Sequence, residues 1–342
     1  MRYIKYIIII LFFSACKEPD IKKVSLDSDE AVKTACLLSQ ISYCSNQKQL
    51  TEHYLPGWKI VWSPVAVGGN YAYVATDGNI FAIAVRGTLL EFSWDAFQNW
   101  FYHDLDITSV EAWGYASNTE KAKIARGSFT GWRNICLLKD IKTGKTLKEF
   151  LEAETNTNTP ILITGHSLGG NLASVYASYI SQEFKNSKKE RKNINVITFG
   201  APAAGNKAFA TDFDAKFPDA LRFENNNDPA PKFPCSGEIA EMKNLFSTNP
   251  SATDITVGYK EYTVTLDKVF GMLNAVLVLN DLKNGGGYAQ PKGKSISIPL
   301  SGNNINNTIE DWLNEAAYQH FIEQYATALD APVVDCMISK NQ

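Results

Sequence analysis

Residues 160–180 read PILITGHSLGGNLASVYASYI, and this stretch decides the fold. Its first five residues form a short apolar run typical of a buried strand, and from Leu168 onward the apolar positions have helical spacing. Between strand and helix lies GHSLG, residues 165–169, which has the spacing of a nucleophile elbow. In such a turn the two glycines let strand and helix approach closely, and the turn exposes the serine hydroxyl. Ser167 is therefore the candidate nucleophile.

A glycine-rich turn between a strand and a helix has two other interpretations. It can hold a structural serine, or its backbone can cradle a phosphate. A P-loop needs Gly-Lys-Ser/Thr after its first glycine, and dinucleotide binding needs G-x-G-x-x-G, but residues 165–170 have neither pattern. The strand-turn-helix context therefore favours nucleophilic catalysis by the serine.

A serine hydroxyl is not ionised at neutral pH, so it needs a general base, normally a histidine that a carboxylate orients. The chain contains four histidines. His53 and His103 precede the serine, and His166 lies inside the turn, where the geometry directs its side chain away from Ser167. In the α/β-hydrolase order of serine, acid and histidine, the base comes last. Only His320 meets this condition.

The orienting acid must lie between the serine and the histidine. The aspartates considered there are Asp212, Asp214, Asp219, Asp228, Asp254, Asp267 and Asp281. The first three fit solvated positions on or beside a predicted helix. Asp228 follows the β-rich run ALRF by a few residues, and the fold places the acid on a loop just after a strand. We therefore assign Asp228, with Asp254 and Asp267 as the open alternatives.

Strands and helices alternate along the middle of the chain. Apolar or β-rich runs cover residues 80–85, 160–164, 195–199 and 220–223, and helical patterns cover 31–44, 168–184 and about 206–217. This order predicts an α/β fold with a mostly parallel central sheet and helices on both faces. Asp77-Gly78, between two β-rich runs, predicts a hairpin. No linker separates a second domain, and residues 283–307 are interpreted as an excursion within one catalytic domain.

The composition excludes several classes of protein. The chain is 45% hydrophobic and 20% charged, which provides ample material for a packed core and differs from disordered sequences. Its 33 basic and 36 acidic residues give a formal net charge of −3. Because this near balance provides no broad positive field, no nucleic-acid partner is expected. The sequence leaves the oligomeric state open.

The N-terminus has the pattern of an export signal. Two basic residues precede an apolar run of about eight residues, which is too short to span a bilayer. The sequence FSAC, residues 13–16, resembles the lipobox of bacterial lipoproteins, although that motif usually has leucine at the position of Phe13. The resemblance implies a signal peptide over 1–15, lipid on Cys16, a tether over 16–30 and a catalytic domain over 31–342. The protein would then be exported and anchored to a membrane, at the periplasmic face or the cell surface. The alternative is a conventional signal peptide followed by an ordinary cysteine.

Five cysteines follow residue 16: Cys36, Cys44, Cys136, Cys235 and Cys336. An exported chain can form disulfides, but an odd number leaves at least one thiol unpaired and the pairing open. Cys36 and Cys44 are about 12 Å apart on a continuous helix, too far for a disulfide unless the helix ends between them. No pair has metal-ligand spacing, and no catalytic role is assigned to these residues.

Taken in order, the motifs of the chain resemble those of the class 3, fungal-type lipases, which have the α/β-hydrolase fold. The matching pieces are Arg86-Gly87-Thr88, Asn99-Trp100 with Asp104, GHSLGG at 165–170, TFGAPAAGN at 198–206, DPAPKFP at 228–234, and His320 with Tyr325. The chain departs from the family at Ala203, where arginine is common, and over residues 243–307, which have no obvious counterpart. No departure touches Ser167, Asp228 or His320.

The resemblance also implies an oxyanion hole and a lid. The donors of the oxyanion hole would be the backbone N–H of Leu168 together with the backbone N–H and the hydroxyl of Thr88. The aromatic-rich residues 89–105 would form a helical lid, although such a stripe is also typical of a core helix.

The resemblance implies a carboxylic-ester hydrolase, above all a triacylglycerol lipase, that acts through an acyl-enzyme and needs no metal or organic cofactor. Two alternatives stay open. One is a phospholipase A1 or short-chain carboxylesterase on the same scaffold. The other is a non-catalytic lipid-binding surface lipoprotein, which the joint presence of Ser167, Asp228, His320 and Thr88 disfavours.

Overall fold

The computed structural model describes residues 28–88, 107, 109–117, 121–246, 252–259, 262–302 and 308–337. Its α-helices are α1 Asp29–Ile41, α2 Gln47–Tyr54, α3 Arg126–Leu137, α4 Leu147–Glu154, α5 Leu168–Asn186, α6 Lys207–Lys216, α7 Glu238–Glu241, α8 Leu266–Asn284, α9 Ile309–His320 and α10 Ile322–Ala328. Its strands are β1 Lys59–Trp62, β2 Ala72–Thr76, β3 Phe81–Val85, β4 Val110–Ala112, β5 Lys123–Ala125, β6 Ile161–His166, β7 Ile194–Phe199, β8 Gly205–Asn206, β9 Leu221–Asn225, β10 Thr256–Tyr259, β11 Tyr262–Thr265, β12 Tyr288–Ala289 and β13 Lys294–Ile296.

The central sheet has seven strands in the order β1-β2-β3-β6-β7-β9-β13. The first three strands are antiparallel, and every pairing from β3 to β13 is parallel. The remaining strands form a small antiparallel sheet, β12-β8-β5-β4, and a hairpin of β10 and β11. The prediction of a mostly parallel central sheet is therefore confirmed.

Helices cover both faces of this sheet. In β3, Ile83 and Val85 pack into one hydrophobic cluster, which includes side chains of α3, α4, α5 and α6. Ala82 and Ala84 point the other way, into a second cluster with side chains of α1, α2 and α10. Since successive side chains of a strand face opposite sides, the alternation shows a sheet buried on both faces.

Local chemistry explains where several elements begin and turn. Ser28 caps α1 by accepting a hydrogen bond from the Ala31 amide. In the turn between β2 and β3, Asp77 Oδ1 accepts from the amides of Asn79 and Ile80, and Gly78 has φ +93°. The predicted hairpin is therefore confirmed.

Two details differ from the sequence predictions. The excursion over 283–307 contains β13, which adds a parallel strand to the edge of the central sheet beside β9. Asp212 is buried in α6, where it pairs with Lys216 and accepts from the Ser117 amide, so the solvated position expected for it was wrong. A buried carboxylate is tolerated there because both partners compensate its charge.

A disulfide joins the turn after α1 to the C-terminal segment of the described chain. Helix α1 ends at Ile41, and Cys44 in the following turn is bonded to Cys336, with their Cα atoms 5.4 Å apart. Cys36, Cys136 and Cys235 are free, and burial raises the pKa of each thiol to about 12. These three thiols are therefore protonated at neutral pH.

The predicted signal peptide, 1–15, and Cys16 lie outside the described residues, as does the predicted lid, 89–105. Within the described part of the chain, none of the helices combines the length and the apolar character needed to cross a bilayer.

Candidate active site

Ser167 lies in a strained turn between β6 and α5. Its backbone has φ 58° and ψ −133°, a conformation that few residues other than glycine adopt. A Cβ atom added to Gly165 would lie 2.4 Å from the carbonyl carbon of Gly169, so strand and helix can meet this closely only through glycine. The turn has the geometry of the elbow predicted from GHSLG.

The structure brings Ser167, His320 and Asp228 together. His320 is the last residue of α9, and its Nε2 lies 2.8 Å from Ser167 Oγ. Its Nδ1 lies 2.8 Å from Asp228 Oδ2. Because a carboxylate only accepts, Nδ1 carries the ring proton and Nε2 directs a lone pair at the serine hydroxyl. This is the arrangement in which a histidine can deprotonate a serine.

All three side chains are buried: Ser167 and His320 are 4% exposed and Asp228 is 0% exposed. The exposed hydroxyl expected at the elbow is therefore not seen, since the imidazole lies directly against it. Burial strengthens the hydrogen bonds of the three residues, because little water competes for their donors and acceptors.

Asp228 is held from several sides in the loop after β9. Its Oδ1 accepts from the Ala230 amide, and its Oδ2 also accepts from the Tyr325 hydroxyl at 2.7 Å. Burial and the nearby Asp228 raise the pKa of Tyr325 well above its ordinary value, so the phenol stays protonated and donates. At Gly200, which has φ +55°, a Cβ would lie 2.9 Å from Asp228 Oδ2. The glycine of the TFGAP motif thus leaves room for the carboxylate.

The two alternative acids have other positions. Asp254 lies exposed in a turn before β10, and Asp267 lies in the first turn of α8. Asp228 therefore fills the place that the sequence assigned to it.

Thr88 and Leu168, the predicted oxyanion donors, lie on either side of the close contact between β3 and α5. The backbone of residues 85–87 passes over Gly169, where an added Cβ would lie 2.3 Å from the Val85 carbonyl oxygen. Leu168 is the first residue of α5, so its amide has no acceptor within the helix. Thr88 Oγ1 is buried and has no hydrogen-bond partner among the described residues. Both groups are thus available to an oxyanion.

A cavity of about 510 Å³ borders both donors. Its wall comes from the β1–β2 turn, the end of β3, one face of α3 and the start of α5: Gly68, Gly69, Asn70, Arg86, Gly87, Thr88, Arg126, Gly127, Thr130, Gly131, Asn134, Leu168 and Leu172. This volume lies in the range of small-molecule sites, and Leu168 and Leu172 contribute apolar side chains to its lining. No group of three or more His, Cys, Asp or Glu side chains in the described ranges could hold a metal ion.

His166 and Tyr43 also contact the site, and no sequence motif indicates this for Tyr43. The Tyr43 hydroxyl lies 2.9 Å from His166 Nδ1, and His166 Nε2 lies 2.7 Å from the carbonyl oxygen of His320. The prediction that His166 is directed away from Ser167 agrees with these partners. Tyr43 follows the first helix, 123 residues before His166, so no local pattern could connect the two residues.

The mostly parallel sheet and the elbow, with its hydrogen-bonded serine, histidine and aspartate, are features of the α/β-hydrolase fold. Residues 83–238 match the family model "Lipase (class 3)".

Two curated relatives illustrate the match. The chain is 26% identical over 170 residues to "Secreted mono- and diacylglycerol lipase 1" of Fusarium solani, covering 48% of this chain and 43% of that protein. It is 28% identical over 220 residues to "Phospholipase A1-II 7" of Oryza sativa subsp. indica, covering 56% of this chain and 52% of that protein. The chain thus spans about half the length of these relatives.

Among solved structures, the crystal structure of M37 lipase superposes with a TM-score of 0.68 and 22% identity, covering 89% of this chain and 92% of the other. At this identity the likeness shows a shared fold, and it extends well beyond residues 83–238.

Proposed function

We propose that the protein hydrolyses carboxylic esters through an acyl-enzyme on Ser167. The observation that carries the proposal is the continuous chain of hydrogen bonds from Ser167 Oγ through the His320 imidazole to Asp228, with 2.8 Å at each step. Such a chain supplies a base for the hydroxyl and a counter-charge for the imidazolium that forms.

In the proposed reaction, Ser167 Oγ attacks the ester carbonyl carbon while His320 Nε2 takes the hydroxyl proton. The oxyanion of the tetrahedral intermediate accepts hydrogen bonds from the Leu168 amide and from Thr88. His320 then gives its proton to the departing alkoxide, which leaves as the alcohol. A water molecule repeats the sequence on the acyl-enzyme and releases the acid. Losing one oxyanion donor typically raises the barrier by about 3 kcal/mol.

The substrate class that we propose is acylglycerols, foremost triacylglycerols. The support is the class 3 lipase match and the cavity beside the oxyanion donors, whose lining includes Leu168 and Leu172. A phospholipase A1 is the second candidate, because proteins of that name in rice align with about half of this chain.

The test of the activity is hydrolysis of p-nitrophenyl esters by the wild type and by Ser167→Ala. We expect turnover by the wild type and its loss in the variant. Ser174→Ala is the matched control, because Ser174 lies on the same helix and its hydroxyl donates only to the Gly170 carbonyl in the turn below. Equal rates for the wild type and Ser167→Ala would refute the proposal.

A panel of purified substrates decides between the two candidates. Triacylglycerol, diacylglycerol and phosphatidylcholine are compared at equal acyl-chain length, with release of fatty acid as the measurement. Faster release from triacylglycerol supports the lipase, and faster release from the sn-1 position of phosphatidylcholine supports the phospholipase A1.

The proposal includes an N-terminal lipid anchor on Cys16 that holds an exported protein at a membrane. Its support is the sequence of residues 1–16 and the disulfide between Cys44 and Cys336, since stable disulfides are typical of exported proteins. Metabolic labelling with palmitate should mark the wild type and Cys136→Ser but not Cys16→Ser. Equal labelling of all three proteins would contradict the anchor.

A further inference from the structure

Helix α8 carries apolar side chains on all sides. Its inner face is buried through Leu266, Phe270, Leu273 and Leu277, and Phe270 packs against Trp312 of α9. The opposite face is exposed and carries Met272, Val276, Val278, Leu279 and Leu282, which we call the outer α8 face. Leu279 and Leu282 are 65% and 76% exposed. A helix that is apolar all round normally has no exposed face in a soluble domain.

The outer α8 face is a cluster and not a scatter of single side chains. It holds five of the twelve exposed large apolar side chains in the described part of the chain. Met272, Val276 and Leu279 follow one another at helical spacing, so they form a continuous stripe. Isolated exposed apolar residues need no explanation, but a contiguous patch marks a surface that binds something.

The two exposed charged side chains of this helix are both cations. Lys268 in the first turn and Lys283 in the last turn are exposed and lie about 22 Å apart along the helix. The two aspartates of α8 are half-buried, and Asp281 accepts a hydrogen bond from Ser236. The outer face is therefore an apolar stripe with a cation at each end, which complements an apolar layer beneath anionic headgroups.

We propose that the outer α8 face docks on the surface of a lipid bilayer that contains anionic headgroups. The apolar stripe enters the boundary between headgroups and acyl chains, and the two lysines contact the headgroups. Helix α8 lies outside residues 83–238, the region matched by the family model. None of the five apolar residues of the outer α8 face lines the cavity beside Thr88 and Leu168.

Helix α8 can stay fixed while it docks, because its inner face is anchored to the catalytic domain. Gly237 donates to Asn274, and Ser236 donates to Asp281, both from the segment that follows the Asp228 loop. Phe270 packs on the helix that ends at His320. A surface held by these contacts would dock without rearrangement of the domain.

The direct test measures the depth of α8 with a nitroxide label. The full chain carries Cys16→Ser, so that the predicted lipid is absent, and a label is placed through Leu279→Cys or, as the matched control, through Ile141→Cys. Ile141 is 69% exposed and lies in the segment between α3 and α4. With phosphatidylcholine–phosphatidylglycerol vesicles, we expect the label at 279 to become accessible to oxygen and shielded from a water-soluble nickel chelate. The label at 141 should stay accessible to nickel.

Two results would overturn the proposal. In one, the label at position 279 remains as accessible to nickel as the label at 141 after vesicles are added. In the other, the label at 279 is shielded from nickel before vesicles are added, which shows that a second copy or another part of the chain covers the helix. Neither readout depends on ester hydrolysis, so the test stands apart from the proposed function.

Double variants that also carry Cys16→Ser test the apolar and the electrostatic contributions to membrane binding separately. Vesicle sedimentation measures the binding. Leu279→Gln with Leu282→Gln should weaken partitioning by at least about tenfold. Lys268→Gln with Lys283→Gln should weaken binding by about fivefold for each lysine, and only for vesicles with phosphatidylglycerol. Val65→Gln with Ile141→Gln is the control. Unchanged partitioning of both α8 variants would contradict the proposal, and thermal unfolding checks that each variant is folded.

Discussion

His166 lies between His320 and Tyr43, and its protonation state follows from these two partners. Its Nε2 faces the carbonyl oxygen of His320, which can only accept, so Nε2 carries the proton. Burial, followed by the nearby His320, lowers the pKa of His166 well below its ordinary value and keeps the ring neutral. Nδ1 is therefore an acceptor, and the Tyr43 hydroxyl donates to it. Tyr43 thus fixes the tautomer of the ring that holds the backbone of His320.

Replacement of Tyr43 by phenylalanine should therefore lower kcat and leave KM unchanged. The lost hydrogen bond is worth about 1 kcal/mol, which corresponds to a rate reduction of about fivefold. Without its donor, His166 is free to move its proton to Nδ1 and release the His320 carbonyl. Nitrogen chemical shifts of the imidazoles report this tautomer directly, independently of catalysis.

Tyr73→Phe is the matched control for Tyr43→Phe. The Tyr73 hydroxyl is buried and donates to the Leu38 carbonyl at 2.8 Å, so its loss removes a similar bond from the same helix region. We expect a comparable loss of stability but no change in kcat or in the His166 tautomer. If both variants reduce kcat equally, Tyr43 has a structural role only.

The assignment of Asp228 leads to a second prediction. In Asp228→Asn the amide still fits beside His320 but no longer requires the ring proton on Nδ1, so the lone pair at Ser167 is lost. A change of this kind typically lowers kcat by about four orders of magnitude. Asp254→Asn, at the exposed aspartate that the sequence left open, should retain full activity. Full activity of Asp228→Asn in the p-nitrophenyl ester assay would refute the assignment.

At the scale of elements, the predictions succeeded where a pattern was long or chemically specific. The run ahead of Ser167 and the helix after it were found within two residues of their observed ends, because burial and helical spacing agree over many positions. Strand β13 was missed because it has three residues and belongs to the sheet only through its pairing with β9. A strand this short has no periodicity to read.

The elbow gives a prediction about how closely two elements must pack. Gly169→Ala should destabilise the protein by about 3 kcal/mol or more, since the new methyl group would meet the Val85 carbonyl oxygen and the Gly87 amide, which are both backbone. Gly271→Ala, the same change on the exposed face of α8, meets no atom within 4 Å. It should stabilise by about 0.5 to 1 kcal/mol through helix propensity. Urea unfolding measures the change in the free energy of unfolding for both variants. Changes of the same sign would contradict the packing argument.

At the scale of the whole molecule, the site is assembled from distant parts of the chain. The turn after α1 provides Tyr43, the loop after β9 provides Asp228, and the end of α9 provides His320, all around the elbow. Residue type and chain order were sufficient to predict that Ser167, Asp228 and His320 lie together. The contribution of α1 depends on its packing across the sheet, which no motif encodes.

A disulfide joins the two ends of the described chain beside Tyr43. The Cys44–Cys336 disulfide spans 292 residues, and the C-terminal segment is further held by Gln40, which bonds the Pro332 carbonyl and the Val334 amide. Cys44→Ser with Cys336→Ser should lower stability by about 2 to 4 kcal/mol, because the unfolded chain gains the entropy that the cross-link removes.

Cys44 directly follows Tyr43, so the same double variant should also reduce kcat by loosening the turn that holds the Tyr43 hydroxyl. Treatment of the wild type with a reductant should reproduce both effects, and Cys136→Ser, which removes a free thiol, should produce neither. Thermal unfolding and ester hydrolysis are measured on the same samples. A lower unfolding temperature with unchanged kcat would show that α1 and its turn keep their place through packing alone.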